Sequence, residues 1–277
     1  MLEPPEAFLR AANDLGIEFD AGDLDRLGRF LGLMLETNRT HNLTAITDPS
    51  EAWTRHILDA LTLVPLVLSV TEGADPIDRG EPVAGAAGEA AADVSPAEAD
   101  VALIDVGSGG GVPGVPLAIV LPRVRVTLLE PTGKKADFLA AAASELGLGN
   151  VAVLRARAER VGQDHRGHRE RYDVATARAL GHLAVVAELT VPLVRPGGLV
   201  LAVKGAKADR EVEESGKAIG LLGARHVETV PTPTGRIVVL EKAGRTPRLY
   251  PRSDGEPKRR PLGVVATGRG PNSVPGV

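Results

Sequence analysis

The stretch Leu103-Ile-Asp105-Val-Gly107-Ser-Gly109-Gly110-Gly111-Val-Pro113-Gly114 decides the fold of this 277-residue chain. An apolar run that ends near an acid passes into a glycine-rich turn and then into a predicted helix, the pattern of a strand–turn–helix unit. In an open parallel sheet, ligands bind where such turns leave the strands, and residues without a Cβ let the backbone approach a ligand. An isolated glycine triplet, however, is more typical of a tight structural turn with helix-packing glycines.

Short β-branched runs alternate with helical periodicity after this stretch. The predicted strands are Val101–Val106, Val124–Glu130, Val151–Leu154, Tyr172–Ala177 and Leu199–Lys204. The predicted helices are Pro116–Leu121, Lys134–Leu146, Leu183–Leu193 and Glu211–Leu222. Such alternation indicates an α/β fold with a doubly wound, mostly parallel sheet. A last pair of strands, His226–Val230 and Arg236–Lys242, is expected to form an antiparallel C-terminal hairpin at the sheet edge.

Four segments follow along the chain. Residues 1–70 read as a helical cap, with helices over Pro4–Leu15, Leu24–Thr37 and Ser50–Leu68 and N-caps at Asp23 and Ser50. Residues 71–100 read as an acidic insert rich in Ala, Gly and Pro, and we expect it to be disordered. Residues 101–243 form the α/β domain, and residues 244–277 form a basic tail.

Composition excludes several classes of protein. The chain has no cysteine, so it has no disulfide, no cysteine-ligated zinc and no cysteine nucleophile. No signal peptide and no bilayer-spanning run is visible, which predicts a cytoplasmic protein without a membrane partner. The six histidines follow no metal-ligand spacing, so no metal is expected. Trp53, the single tryptophan, is expected in the core.

The charge is unevenly distributed. The chain carries a net charge of −4, but residues 71–100 hold eight acidic residues and one basic residue, which leaves the remainder positive. Residues 244–263 carry six basic residues against two acidic ones. A polyanionic partner such as nucleic acid is plausible, although composition alone favours a solvated tail.

The glycine motif departs from a dinucleotide fingerprint, because Val112 stands where its last glycine or alanine is required. Asp105 to Gly111 instead resembles the S-adenosylmethionine site of class I methyltransferases. Glu130 ends the next predicted strand roughly 20 residues after the glycine turn, where a ribose-binding carboxylate is expected in such folds. We therefore predict a cofactor site that includes Gly107, Gly109 and Glu130.

The chain as a whole resembles the bacterial 16S rRNA guanine-N7 methyltransferases of the RsmG (GidB) type. The matching segments are Asn38–Thr44, Arg55–Asp59, Asp105–Gly114, Arg157–Glu159, Ala177–Ala179, Lys204–Gly205 and Thr246–Arg252. The resemblance implies S-adenosylmethionine contacts at Gly107, Val112, Ala158, Glu159 and Arg178. From the residues alone, Glu159 reads as a solvated acid at a helix start and Arg178 as half of a surface ion pair. The resemblance also implies that the substrate is guanine 527, in the helix 18 loop of 16S rRNA.

The residue types agree with N7 chemistry. A cysteine-dependent C5 methylation is excluded, and the predicted fourth strand does not end in the Asp/Asn-Pro-Pro-aromatic tetrad typical of exocyclic-amine methylation. Guanine N7 carries a free in-plane lone pair and no proton, so we expect no general base among the catalytic residues. Positioning alone can supply roughly 7–11 kcal/mol of such a barrier.

The expected partner is 16S rRNA, the small ribosomal subunit or an assembly intermediate, bound by a monomer. The candidate RNA contacts are basic residues of the cap, the strand ends and the tail: Arg55, Lys134, Lys135, Lys204, Arg248, Arg252, Arg259 and Arg260. Two alternatives remain open, a methyltransferase that acts on a small molecule or a protein, and a non-catalytic protein that binds the ribosome.

Overall fold

The computed structural model describes residues 2–70 and 101–263. The predicted acidic insert, residues 71–100, and the last fourteen residues lie outside the described residues. In the described chain, no helix is long and apolar enough to cross a membrane.

The N-terminal cap begins with helices α1 (Glu6–Asp14) and α2 (Asp23–His41). Helix α2 buries one stripe of side chains, among them Leu27 and Leu31, as its three- and four-residue spacing predicts. The N-cap predicted at Asp23 is wrong, because Gly22, with a φ of 89°, caps the helix. Asp23 is buried inside the first turn, where it accepts a hydrogen bond from the Asp20 N–H and pairs with Arg26.

The third predicted helix is divided into short pieces. They are α3 (Pro49–Ala52), a π-helix (Trp53–Leu58), α4 (Asp59–Leu61) and α5 (Val64–Leu68). Asp48, not Ser50, is the N-cap, and its carboxylate accepts a 2.8 Å hydrogen bond from the Glu51 N–H. Trp53 is buried against Phe8, with ring centroids 4.7 Å apart. The π-helix widens the turn that carries His56, a geometry common at functional sites.

The α/β domain contains one seven-stranded sheet in the order β3-β2-β1-β4-β5-β7-β6. The strands are β1 (Val101–Val106), β2 (Val124–Leu129), β3 (Val151–Leu154), β4 (Tyr172–Arg178), β5 (Val194–Lys204), β6 (Ala224–Thr232) and β7 (Gly235–Lys242). Strands β1 to β5 are parallel, while β7 runs antiparallel to both β5 and β6. This is the predicted doubly wound sheet with its C-terminal hairpin. Its chain order reverses between β1 and β4, the switch point where such folds bind ligands.

Helices cover both faces of the sheet. They are α6 (Gly114–Val120), α7 (Gly133–Glu145), α8 (Ala158–Gln163), α9 (Leu183–Thr190), α10 (Ala208–Leu221) and α11 (Glu256–Arg259), with a 3₁₀ turn over Val191–Leu193. Leu103 joins the core shared with α6, α7 and the cap, whereas its neighbour Ile104 joins the core shared with α8, α9 and α10. The cap therefore extends one of the two hydrophobic layers around a sheet buried on both faces.

The stretch after β7 is not a free tail up to Gly263, the last residue that the structure describes. Arg169 is buried, and its guanidinium donates to the carbonyl oxygens of Gly162, Thr246, Pro247 and Tyr250 at 2.7–3.2 Å. These bonds fix the C-terminal segment against α8. The sequence interpretation of residues 244–263 as a solvated tail is therefore wrong.

A second charged contact holds the same segment. The fully buried carboxylate of Glu188 accepts hydrogen bonds from the backbone and the guanidinium of Arg252 at 2.6–2.9 Å. A buried carboxylate with such a bidentate partner is strongly destabilised when the partner is removed. The C-terminal segment is therefore part of the fold, and Arg252 is a structural residue.

We expect Arg169→Met to lower the free energy of unfolding by about 3 kcal/mol, because several carbonyl oxygens lose a buried charged donor. Urea denaturation followed by circular dichroism measures this loss. Arg171→Met is the matched control, since Arg171 is exposed two residues away and its replacement should change stability by less than about 0.5 kcal/mol. Equal stability of the two variants would contradict the role assigned to Arg169.

Candidate cofactor site and nucleic-acid interface

The glycine turn joins β1 to α6 at the carboxyl edge of the sheet. The Gly107 and Ser108 N–H groups both donate to the Leu129 carbonyl, at 2.8 and 3.1 Å, which ties the turn to the end of β2. Val112, half-buried, packs on the core shared with the cap. The turn is thus fixed to the end of β2 by two backbone hydrogen bonds.

Two glycines of the turn serve different purposes. At Gly111 a Cβ would lie 2.9 Å from Val115 and 3.2 Å from the Phe30 ring, so this glycine allows close packing. At Gly109, with a φ of 55°, the nearest atom to a Cβ would be the Gly107 oxygen at 3.7 Å. The packing interpretation of the glycine triplet therefore holds at Gly111, whereas Gly109 presents its backbone to open space.

Asp105 anchors the turn from inside the sheet. Its carboxylate accepts hydrogen bonds from the Gly114 N–H at 3.2 Å and the Thr176 hydroxyl at 3.0 Å. It therefore connects β1, the start of α6 and β4. Desolvation by complete burial raises the pKa of Asp105 from 3.8 to about 6, although those hydrogen bonds favour the charged form.

Glu130 lies directly behind the glycine turn. One carboxylate oxygen accepts the Gly109 N–H at 3.0 Å, and the other accepts the Thr132 N–H at 2.8 Å. Each oxygen has a second lone pair that can accept a further donor such as a ribose hydroxyl. The structure therefore places Glu130 beside Gly109, as an acceptor at the end of β2.

Ala158 and Glu159 begin α8 after β3, and both are buried. The Glu159 carboxylate accepts the Gly255 N–H at 2.8 Å, so the interpretation of Glu159 as a solvated acid is wrong. The neighbouring Arg160 pairs with Asp254 at 2.8 Å. The C-terminal segment thus returns to the carboxyl edge of the sheet and fixes the start of α8.

Arg178, the last residue of β4, is largely buried and turned toward the cap. Its Nη1 lies 3.9 Å from the Asp59 carboxylate and its Nη2 lies 3.4 Å from His56 Nδ1. Burial lowers the pKa of Arg178, and Asp59 opposes this shift. Asp59 also accepts the Thr234 hydroxyl from the β6–β7 turn. Arg178 is therefore half of an ion pair, as one interpretation of the sequence had it, but the pair is largely buried and not on the surface.

The structure divides the candidate RNA contacts into two groups. Lys204 donates to both Glu211 and the Gly181 carbonyl at 2.6 Å, and Arg252 is held by Glu188, so both side chains are engaged within the chain. The side chain of Arg55 is about half exposed beside Glu51. The other candidates keep exposed or half-exposed positions: Lys134, Lys135, Arg248, Arg259 and Arg260.

Sequence reasoning missed further exposed cations that follow strands at the carboxyl edge. Arg155 and Arg157 follow β3, and Lys207 follows β5. Arg155 lies against Gly133, at the start of α7, beside Lys134. Their position just after predicted strands was a signal in the sequence, because parallel strands end at one shared edge. In the described chain, no group of three or more metal-ligating side chains is gathered.

The sheet order, the antiparallel β7 and the glycine turn beside two strand-end acids define a class I S-adenosylmethionine-dependent methyltransferase fold. The family model GidB, described as rRNA small subunit methyltransferase G, matches residues 23–80 and 90–237. The chain belongs to this family.

Known relatives agree over nearly the whole chain. Ribosomal RNA small subunit methyltransferase G of Sorangium cellulosum is 44% identical over 251 residues, covering 90% of this chain and 92% of the relative. The protein of the same name from Pelotomaculum thermopropionicum is 38% identical over 263 residues, covering 93% and 98%. Among solved structures, the chain is similar to the antibiotic-resistance methyltransferase Kmr, with a TM-score of 0.44 and 19% sequence identity. The match covers 53% of this chain and 89% of the Kmr chain.

We expect Gly109→Ala to weaken S-adenosylmethionine binding at least tenfold, because the added methyl group enters the open space of the turn. Isothermal titration calorimetry measures the affinity. Gly147→Ala is the matched control, since Gly147 also has a positive φ and open space around it. Both variants should lose about 1 kcal/mol of stability from the left-handed backbone, and only the first should lose affinity. Equal affinities would reject the site.

Asp105→Asn tests the buried acid. Because the folded state raises the pKa of Asp105, the stability that this group contributes is present below pH 3.8 and is lost as the pH rises through about 6. The free energy of unfolding of the variant, measured relative to that of the wild type, should therefore rise by up to about 3 kcal/mol between pH 4 and pH 7. Urea unfolding across this range measures the difference, and a difference that does not vary with pH would contradict the shifted pKa.

Proposed function

We propose that this chain transfers the methyl group of S-adenosylmethionine to N7 of guanine 527 in the helix 18 loop of 16S rRNA. The observation that carries the proposal is the convergence of Gly109, Glu130, Glu159 and Arg178 at the carboxyl edge of the sheet in a member of the rRNA small subunit methyltransferase G family. A ribosomal RNA substrate favours the cytoplasm as the location of the protein, and we propose that it acts as a monomer.

The residues present fit the cofactor. The backbone at Gly109 borders open space, and Glu130 offers acceptor positions beside it. Arg178 Nη1 is buried without a hydrogen-bond partner among the described residues, so it can donate to an oxygen of a ligand. We propose that Gly107, Gly109, Val112, Glu130, Ala158, Glu159 and Arg178 hold S-adenosylmethionine.

The acidic and imidazole groups around the site are suited to holding rather than to proton transfer. Glu130 and Glu159 accept backbone N–H groups, and His56 contacts Thr44 and Arg178. Bound S-adenosylmethionine supplies an electrophilic methyl group on a sulfonium. Transfer of this methyl group to N7 would break the carbon–sulfur bond, leave the electron pair on sulfur and make the base cationic. No proton moves, so alignment by the site supplies the catalysis.

Transfer to small ribosomal subunits tests this function. Subunits from cells that lack the enzyme are incubated with the protein and radioactive S-adenosylmethionine, and the label is mapped by mass spectrometry and by cleavage at N7-methylguanine. Label at guanine 527 is expected, and subunits that already carry the modification are the control. Label on another nucleotide would reject the assigned position.

Absence of RNA labelling would favour one of two other functions. Transfer to a small molecule or protein would reject rRNA as the substrate. Binding of subunits and cofactor without transfer would identify a non-catalytic ribosome-binding protein.

We propose that the exposed cations of α11 and the residue after it contact rRNA. Replacing Arg259 and Arg260 with Ala should weaken RNA binding and reduce the slope of log affinity against log salt by about 0.7–0.9 for each phosphate that the variant no longer neutralises. Fluorescence anisotropy across salt concentrations measures the slope, while cofactor affinity should remain unchanged. The charge-matched control replaces Arg10 and Arg225, exposed on α1 and β6. The same slope in both double variants would exclude Arg259 and Arg260 as phosphate contacts.

A further inference from the structure

Two side chains of the helical cap, His56 and Asp59, contact the guanidinium of Arg178. Nη2 contacts His56 Nδ1 at 3.4 Å, and Nη1 lies 3.9 Å from the Asp59 carboxylate. Within the described chain, Nη1 makes no hydrogen bond although it is buried. A buried donor without a partner is rare and costly, unless a ligand completes it.

The charge state and tautomer of His56 follow from its partners. Because an arginine only donates hydrogen bonds, the 3.4 Å contact assigns Nδ1 of His56 as the acceptor and the ring as neutral. Nε2 then carries the proton and donates to the Thr44 hydroxyl, 2.9 Å away. Burial, followed by the charge of Arg178, lowers the pKa of His56 from 6.5 to about 4, which agrees with a neutral ring.

A chain of hydrogen bonds fixes the ring in the cap. The Thr44 hydroxyl accepts the Ile46 N–H at 3.0 Å as well as the histidine proton, and the Thr44 N–H donates to Asn38 Oδ1 at 2.9 Å. His56 itself lies in the π-helix, whose wider turn sets the position of its side chain. Side chains far apart in sequence thus converge on the end of β4.

We propose that His56 is a positioning residue of the cofactor site, because its neutral ring holds Arg178 so that Nη1 stays free to donate to an oxygen of bound S-adenosylmethionine. This inference rests on the proposed function, which includes Arg178 among the cofactor contacts. It adds that the helical cap, through His56, sets the geometry of a cofactor contact that belongs to the sheet. Neutrality is essential to this role, since a protonated ring would repel the guanidinium and offer it no acceptor.

Two substitutions separate the two nitrogens of the ring. In His56→Asn the amide oxygen takes the place of Nδ1 and retains the acceptor for Arg178. In His56→Gln the amide reaches the position of Nε2 and retains only the contact with Thr44. Titration calorimetry with S-adenosylmethionine should show affinity within about threefold of wild type for the Asn variant and about tenfold weaker for the Gln variant, the loss expected for one charge-assisted hydrogen bond.

The control for a general loosening of the cap is Phe8→Leu, which removes packing against Trp53 without touching the network around Arg178. This variant should lose stability and keep its cofactor affinity. A loss of affinity equal to that of His56→Gln would show that cap stability, rather than the orientation of Arg178, determines binding, and would overturn the proposal.

A double-mutant cycle tests whether His56 acts through Arg178. In an Arg178→Ala background, His56→Gln should cause no further loss of affinity, because the group that it positions is absent. An equal loss in both backgrounds, or no loss in either, overturns the inference. Should His56→Gln fail to fold, a folded His56→Asn variant that binds much more weakly than wild type also overturns it.

The outcome distinguishes this inference from the function on which it rests. If wild type binds S-adenosylmethionine and the histidine variants bind equally well, only the role of His56 fails. If wild type does not bind S-adenosylmethionine, the proposed cofactor site fails and the role of His56 fails with it.

Discussion

The buried carboxylate of Asp105 is the constraint on which the geometry of the site depends. It accepts hydrogen bonds from the first turn of α6 and from β4, and so fixes the helix that follows the glycine turn relative to two strands. At Gly109 the turn offers the site only its backbone. The space beside this backbone stays open only if the neighbouring residues are held in place. Burial strengthens the hydrogen bonds that the Asp105 carboxylate accepts. The same burial removes water from the carboxylate, which disfavours its charged form and raises its pKa.

Contacts between residues that are distant in sequence stabilise the carboxyl edge of the sheet. Arg169, before β4, binds carbonyl groups of the C-terminal segment, and that segment ends beside α8, where the Gly255 N–H reaches Glu159. The cap approaches from the other side, where Asp59 bridges Arg178 and Thr234. Both ends of the described chain therefore support a site whose proposed cofactor contacts lie at the edge of the central sheet.

Local pattern was sufficient to predict the sheet and the candidates Gly107, Gly109 and Glu130, because side-chain periodicity and glycine position are short-range signals. The candidates Val112, Ala158, Glu159 and Arg178 came from the resemblance to a family. The extent of α8 and the whole of α11 were not predicted, because these helices are only six and four residues long. Pairs of charged residues were beyond sequence reasoning. Arg252 read as a tail cation, yet Glu188, 64 residues earlier, holds it in the core. Arg178 and His56 are 122 residues apart, and nothing in either local sequence shows that they meet.

The net charge of the chain does not show which basic residues are exposed and which are paired with acids inside the fold, so it is a poor guide to RNA recognition. Basic residues that neutralise buried acids add to the formal charge but offer nothing to a phosphate, whereas Arg155 and Arg157 add little to any visible cluster and stand exposed at the carboxyl edge. Phosphate attraction depends on the exposed cations near the site, since salt screens charges beyond about 10 Å. A protein with a net charge of −4 can therefore present a cationic surface to rRNA beside its cofactor, provided that its acids lie elsewhere or are already paired.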